Sequence, residues 1–309
     1  MKNDPALVSV IVPVYNRAHL VTETVASILG QTYQNIEIIL INDGSTDDSL
    51  NVIQALQREY PDVIRIIDQE NQGQTIARNQ GIQKARGKYV AFLDSDDLWV
   101  PDKLARQIPL FDEGVGLVYG GVALINEYGE TTGFDSCDPT IQGKIYPQLL
   151  VKNRMTGGSV VVLREALDRV GVFDPEFRAA ENWDLWLRIC KEYQARLVNM
   201  PVVKYRLHQN NMSKDMMLMQ DAKRQIMAKH CDKHSSDKLV ARYSRLAEAD
   251  LFYKLGVYCF SREQFGEAIR NFLRVVMISP FYEDTPVRLL RSLLGSQGNR
   301  MLRKLKKAH

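Results

Sequence analysis

The chain has 309 residues, 45% apolar and 25% charged, the balance of a folded globular protein; this excludes a wholly disordered, collagenous or coiled-coil chain. Forty Lys and Arg against 37 Asp and Glu leave a net +3, too little to mark a nucleic-acid protein. Residues 1–215 carry 22 basic and 28 acidic side chains (net −6) and residues 216–309 carry 18 and 9 (net +9), so two parts with different partners are expected.

Apolar runs at 7–13, 36–41, 63–67 and 89–93 read as buried strands. Between them, 18–29, 46–59 (with Ser45 or Thr46 as N-cap) and 74–85 read as helices. This alternation predicts βαβ units, a mostly parallel sheet, and ligand chemistry along one edge where the strands end. A longer strand is expected over 115–125. Residues 126–157, rich in Gly, Asp, Thr and Pro, read as loops that help form an acceptor pocket. A helix over 183–193 and a strand over 197–205, broken by Pro201, complete the α/β part. From residue 216 the pattern is helical, at 221–229, 236–258, 265–276 and 286–294. Counted from Ala249, residues Phe252, Leu255, Gly256, Ala268, Phe272 and Pro280 fall at the offsets of a single tetratricopeptide-like hairpin, 249–282. The expected domains are therefore 1–215 and 216–309. One hairpin cannot bury its own face, which hints at self-association or another docking partner.

Cys137, Cys190, Cys231 and Cys259 are widely spaced and suggest neither a disulfide framework nor a metal site. The first residues lack a signal pattern, and no run approaches the roughly 18–20 apolar residues that span a bilayer. A cytoplasmic protein is expected, with a peripheral place on the inner face of the membrane left open.

Four polar clusters follow the predicted strands: 12–17 (VPVYNR), 42–47 (NDGSTD), 71–73 (NQG) with 77–81, and 94–97 (DSDD). One Asp after a strand is commonly a turn or cap; four clusters at one sheet edge are not explained that way. The carboxylates of Asp94 and Asp96 can supply hard oxygen ligands of the kind Mg²⁺ and Mn²⁺ favour. There is no G-x-x-x-x-G-K-[ST] loop and no G-x-G-x-x-G after the first strand, which argues against P-loop and dinucleotide folds.

In their order and spacing, these clusters, Arg78-Asn79 and the 181–186 segment (ENWDLW) resemble a family 2 glycosyltransferase of GT-A fold, over about residues 7–213. The resemblance implies a nucleotide-diphosphate sugar, from Asp43 most readily a UDP-sugar, moved with inversion onto a glycan, lipid-linked or protein acceptor, as in cell-surface polysaccharide synthesis. It implies that Pro13, Tyr15 and Arg17 lie against the nucleotide and Asp43 accepts from the base. Gly73, Arg78, Asp94 and Ser95 would border the donor. Asp96 would bind Mn²⁺ or Mg²⁺, joined by His208, which a structural reading also fits.

The chain departs from the family pattern where an Asp base is expected, because position 182 is Asn. An amide cannot take a proton in this role. Glu181 is the provisional base and Asp184 the other candidate; a chain that binds donor but does little chemistry is the alternative, and a scaffold acting through the helical part is another. Trp183 is a candidate acceptor contact, Trp99 divides between acceptor contact and core, and Trp186 and Ile189 read as core. Residues 286–309 hold seven Lys and Arg, no acid and interleaved Leu, which suggests either a solvated helix end or contact with anionic membrane. Nucleic acid is disfavoured there, for want of stacking aromatics.

Overall fold

The computed structural model describes residues 5–135, 138–208 and 215–306, with the backbone alone for 297–306; Cys137 lies outside them. The chain divides into two compact units. One comprises Met1–Tyr146 with Asn153–Asp215, the other Pro147–Lys152 with Met216–His309.

The first unit is built on β1 (Val8–Val14), β2 (Ile36–Asp43), β3 (Ile64–Gln69) and β4 (Tyr89–Phe92), all parallel. Helices α1 (Val21–Leu29), α2 (Ser49–Glu59) and α3 (Gln74–Lys84) make the crossovers. Every residue of β1 is buried, as its unbroken apolar sequence requires for a strand covered on both faces. The sheet continues through β5 (Leu98–Trp99), helix α4 (Lys103–Gln107), β6 (Val115–Ile125) and β7 (Thr131–Asp135). Helix α5 (Tyr146–Val151), β8 (Val161–Leu163), α6 (Arg164–Val170), α7 (Glu181–Glu192) and β9 (Gln194–Arg206) follow. The strand order is β3-β2-β1-β4-β8-β6-β9-β5, with β7 beside β6. β8 runs antiparallel between β4 and β6, while β6 and β9 are parallel.

Several local expectations are corrected. Helix α2 starts at Ser49, three residues after the expected start. Asp47 accepts the Ser49 N–H at 2.9 Å, while Ser45 and Thr46 bond back to Asn16. Pro201 does not break β9; the register with β6 shifts there instead. Residues 126–157 are not all loop: they contain β7 and α5, and 147–152 belong with the second unit. Short elements such as β8 and α6 carry too few residues for a period to show.

Beneath β1, the buried Glu37 carboxylate accepts from Ser9 Oγ (2.6 Å), Arg86 N (2.7 Å) and Arg86 Nε (3.0 Å). Burial raises its proton affinity, but these donors outweigh burial and hold the carboxyl below its usual range.

The second unit contains α8 (Met216–His230), α9 (Lys238–Ser261), α10 (Phe265–Ile278) and α11 (Thr285–Lys306). Asp237 caps α9 by accepting from Leu239 N at 2.8 Å and Val240 N at 3.3 Å. Gly256 lets α9 and α10 close on each other, since a Cβ there would lie 2.7 Å from the ring of the buried Phe272. Lys223 ion-pairs with Asp250 and donates to the Val151 carbonyl at 2.9 Å. Tyr282 also donates to Asp250, at 2.9 Å. Burial pushes the Lys223 ammonium down, the Asp250 carboxylate resists, and the balance is about 8.

Two stability predictions follow from these buried charges. Glu37→Gln should cost about 1–3 kcal/mol at neutral pH. Because the folded carboxyl has a depressed pKa, its contribution is present above the unfolded value and fades on acidification. Urea melts of the two chains should therefore converge as the pH falls below the ordinary carboxylate range. Asp250→Asn leaves Lys223 buried without its counter-charge, at a cost of about 3–5 kcal/mol read by the same melts.

Candidate active site

The site is assembled from the turns that follow β1, β2 and β4, the start of α3, the start of α7 and the end of β9. After β1, Asn16 takes a left-handed conformation (φ 53°), which its short amide tolerates. Its Oδ1 accepts Thr46 N–H at 2.8 Å, and its own N–H donates to Ser45 Oγ at 3.1 Å. The turns after β1 and β2 are thereby stitched together. Gly44, at φ +66°, passes so close to Asn71 that a Cβ would lie 2.5 Å from its nitrogen.

Asp43 ends β2 with its side chain committed. Its Oδ1 accepts from Gln69 Nε2 (2.8 Å) and Gln72 N (2.9 Å), and Oδ2 accepts from Gly73 N (2.9 Å). The residue expected to meet a base thus also shapes the loop in front of it. Pro13 is buried within β1, Tyr15 is 47% exposed, and Ser95 is buried.

Arg78 of α3 is the junction of the site. Only 4% exposed, it places Nη2 2.6 Å from Asp94 Oδ1 and Nη1 2.5 Å from Glu181 Oε1. Burial alone would favour the neutral guanidine, but the Asp94 and Glu181 charges reverse this and raise the group's pKa. The ring of Phe173 lies 5.6 Å below the guanidinium, and the buried Nε has no hydrogen-bond partner. The resemblance places Arg78 beside donor; the geometry makes it a bridge between two carboxylates.

Asp96 Oδ2 lies 3.2 Å from Arg17 Nε and 3.1 Å from His208 Nε2. Asp97 points the other way, buried, and accepts Arg206 N–H at 2.9 Å. Burial, then the Asp94 and Asp96 charges, push the Asp97 carboxyl well above its usual range. Arg206 ties this turn down: Nε donates to Asp96 O (2.9 Å), Nη1 to Glu127 O (2.9 Å) and Nη2 to Glu23 Oε2 (2.7 Å). In the sequence Arg206 counts only as a neighbour favouring a functional His208 and Glu23 carries no signal, because the two lie 183 residues apart in the chain.

Among the described residues no cluster of three His, Cys, Asp or Glu could hold a metal. Asp96 and His208 do fit a divalent cation as a partial donor set, one hard carboxylate and one imidazole, with the other positions left for phosphate oxygens and water.

At the start of α7, Ala180 is left-handed (φ 60°), an uncommon conformation for a residue with a Cβ. The three candidates that follow separate sharply. Glu181 is 4% exposed and faces Arg78 and Gln74. Asn182 is partly exposed, and its Oδ1 accepts from Asn153 Nδ2 at 3.3 Å. Asp184 is fully buried and paired with Arg188 at 2.9 Å, while Arg188 also binds the Val170 and Val172 carbonyls. That pair fixes α7 to the chain before it, so Asp184 is withdrawn as a base candidate. The two tryptophans are likewise corrected as acceptor contacts, because neither offers an open ring face. Trp99 is 3% exposed, donates to Gly158 O at 3.0 Å and lies under Lys103 Nζ at 4.5 Å; Trp183 is 5% exposed. Trp186 and Ile189 are fully buried, Trp186 beside Phe92 and Phe173.

Known proteins resemble the chain in sequence and fold. The sequence model described as Glycosyl transferase family 2 matches residues 9–171. An uncharacterized glycosyltransferase of Rickettsia felis is 33% identical over 67% of the chain, yet the match covers only 35% of that protein, so the chain spans about a third of the first curated relatives' length. TuaG of Bacillus subtilis, a putative teichuronic acid biosynthesis glycosyltransferase, is 32% identical over 69% of this chain and 84% of its own. WfgD of Escherichia coli, a UDP-Glc:alpha-D-GlcNAc-diphosphoundecaprenol beta-1,3-glucosyltransferase, is 32% identical over 68% of this chain and 81% of its own. Among solved structures, TarS 1–349 of Staphylococcus aureus superposes with a TM-score of 0.64 at 15% identity, covering 92% and 88% of the two chains. The mannosyltransferase PcManGT of Pyrobaculum calidifontis, in complex with GDP-Man and Mn²⁺, gives 0.61 at 19%, covering 94% and 87%. The fold is that of the GT-A transferases.

The junction makes a direct prediction. Arg78→Met leaves Glu181 buried without its cation and should cost about 3–5 kcal/mol in denaturant melts. Arg78→Lys should recover part of this only, because one ammonium cannot reproduce the fork to both carboxylates.

Proposed function

Because the chain belongs to glycosyl transferase family 2, we propose that it moves a sugar, with inversion, from a nucleotide-diphosphate donor to an acceptor of cell-surface polysaccharide synthesis. The observation that carries this reading is Arg78, which joins Asp94 at the donor edge to Glu181 at the start of α7 in one buried cluster. A UDP-sugar is the preferred donor: WfgD takes UDP-Glc by its name, and TarS binds UDP-GlcNAc in a crystal structure. The lipid-linked acceptor in the name of WfgD makes a lipid-linked glycan the first acceptor to try, with other glycans and proteins after it. Such work belongs on the cytoplasmic side, at the inner face of the membrane.

In this reading Tyr15, Arg17 and the loop shaped by Asp43 receive the nucleotide. Asp96 and His208 would hold Mn²⁺ or Mg²⁺, which supplies charge neutralisation for the departing diphosphate. Arg17, beside Asp96, adds positive charge to the same edge. Arg78 orients Asp94 towards the sugar and holds Glu181 in place. Glu181 takes the proton of the acceptor hydroxyl, a role Asn182 cannot perform. Asn182 instead orients neighbouring groups, as its contact with Asn153 suggests.

Asn182 also favours a second reading, a donor-binding protein with impaired turnover. Thermal unfolding with UDP, GDP and dTDP and their sugars, with Mn²⁺ or with EDTA, tests the donor site. A ligand at about 100 times its Kd should stabilise by about 2.7 kcal/mol. A metal-dependent shift with one nucleotide family is expected; no shift with any would overturn the donor reading and leave the scaffold reading in its place. Turnover then separates the bases. Glu181→Gln should lower kcat by about 10²–10⁴, with the donor shift intact. Asn182→Asp should change kcat less than about tenfold. Turnover appearing only in Asn182→Asp would establish the impaired-binder reading instead.

A further inference from the structure

Helix α11 is inverted relative to an ordinary surface helix. Among its described side chains, which end just past a kink at Gly295, Thr285 and Ser292 are the buried positions, while the exposed positions carry hydrocarbon: Val287 54%, Leu290 58%, Leu293 65% and Leu294 43%. The spacing 287, 290, 294 is that of one helix face. Helix α10 has the same character, with Leu273 at 48% and Met277 at 86% one turn apart, and Phe281 just beyond its end is 89% exposed. Scattered exposed leucines need no explanation, but consecutive turns of two adjoining helices do. Arginines accompany them: Arg270 and Arg274 precede Leu273 and Met277 by three residues each, and Arg288 and Arg291 lie beside the α11 row, with Arg270 ion-paired to Glu267, Arg274 over the Phe252 ring and Arg288 ion-paired to Asp284.

We infer that the exposed apolar rows of α10 and α11 are a docking surface for anionic lipid. Three observations select that occupant. The rows are hydrocarbon with arginine at their borders, which suits insertion at the boundary of acyl chains and anionic headgroups. Residues 216–309 carry a net +9, and α11 runs into the stretch 286–309 with seven Lys and Arg and no acid, so a negative surface is attracted to this end of the unit. Among the described residues no helix is long and apolar enough to cross a membrane. The inference deepens the proposed lipid-linked acceptor but does not need the donor site to work. It extends the basic-tail expectation to α10 and Phe281, and adds the exposure of Met277, Phe281, Leu290 and Leu294.

The test is flotation of the full chain with phosphatidylcholine vesicles, with and without phosphatidylglycerol. The chain should float with the anionic vesicles and progressively less as salt rises. The double variant Leu290→Glu/Leu294→Glu, and separately Met277→Ser/Phe281→Ser, should reduce the bound fraction roughly tenfold or more. Exposed positions should leave the melting temperature and any nucleotide shift unchanged, so failure here is distinguishable from failure of the donor site. Wild-type chain left at the bottom with anionic vesicles, equal binding to neutral vesicles, or flotation untouched by both variants would overturn the inference. So would a dimer seen by light scattering that the same variants dissolve without any vesicle binding; the occupant would then be a second copy.

Discussion

The arrangement of the candidate site depends on one buried cation shared by two carboxylates. Arg78 comes from α3, Asp94 from the end of β4 and Glu181 from the start of α7. A guanidinium with 4% exposure is tolerable in a protein interior only with counter-charge and good geometry, and here the two arms of a planar fork supply both. The same fork holds two acidic groups near each other that would otherwise repel. α7 is fixed at its other flank by the Asp184–Arg188 pair and its carbonyl contacts. The partly exposed Asn182 therefore sits between two rigid anchors, and substitution there tests chemistry more cleanly than substitution of either neighbour.

A second arginine does comparable work at the other side of the site. Arg206 reaches the Asp96, Asn126 and Glu127 carbonyls and Glu23 through its guanidinium and the Asp97 carboxyl through its backbone N–H. It leaves Asp96 directed towards Arg17 and His208 while Asp97 is turned inward. Adjacent carboxylates thus acquire opposite environments, one partly exposed among cations and one buried with its pKa raised. The division of labour within 94–97 is a product of β9 arriving beside β5 and β6, not of the four residues themselves.

The helical unit follows a different logic. Its interior is closed by Gly256 beneath Phe272 and by the Lys223–Asp250–Tyr282 cluster, which also takes in the Val151 carbonyl. Its outer helices expose hydrocarbon bordered by arginine. The acidic part of the chain holds the candidate site and the basic part holds the apolar rows, so the charge asymmetry of the sequence follows the division into units.

The sequence by itself determined the alternation of apolar strands and helices over residues 7–93, because a parallel sheet covered on both faces needs unbroken apolar runs. It also determined that the polar clusters would gather at one edge, since βα crossovers return every strand in the same direction. Short elements such as β5, β8 and α6 escaped it, having too few residues to show a period. So did the fates of single side chains within a motif. Glu181, Asn182 and Asp184 are three neighbours on one helical turn, yet one meets Arg78, one is partly exposed and one is sealed against Arg188. Trp99 and Trp183 read as candidate acceptor contacts until packing covered their rings. Composition and period are properties of a segment and survive in the sequence. Which partner a charge or ring meets is decided by segments up to 183 residues away, and only the tertiary structure brings those together.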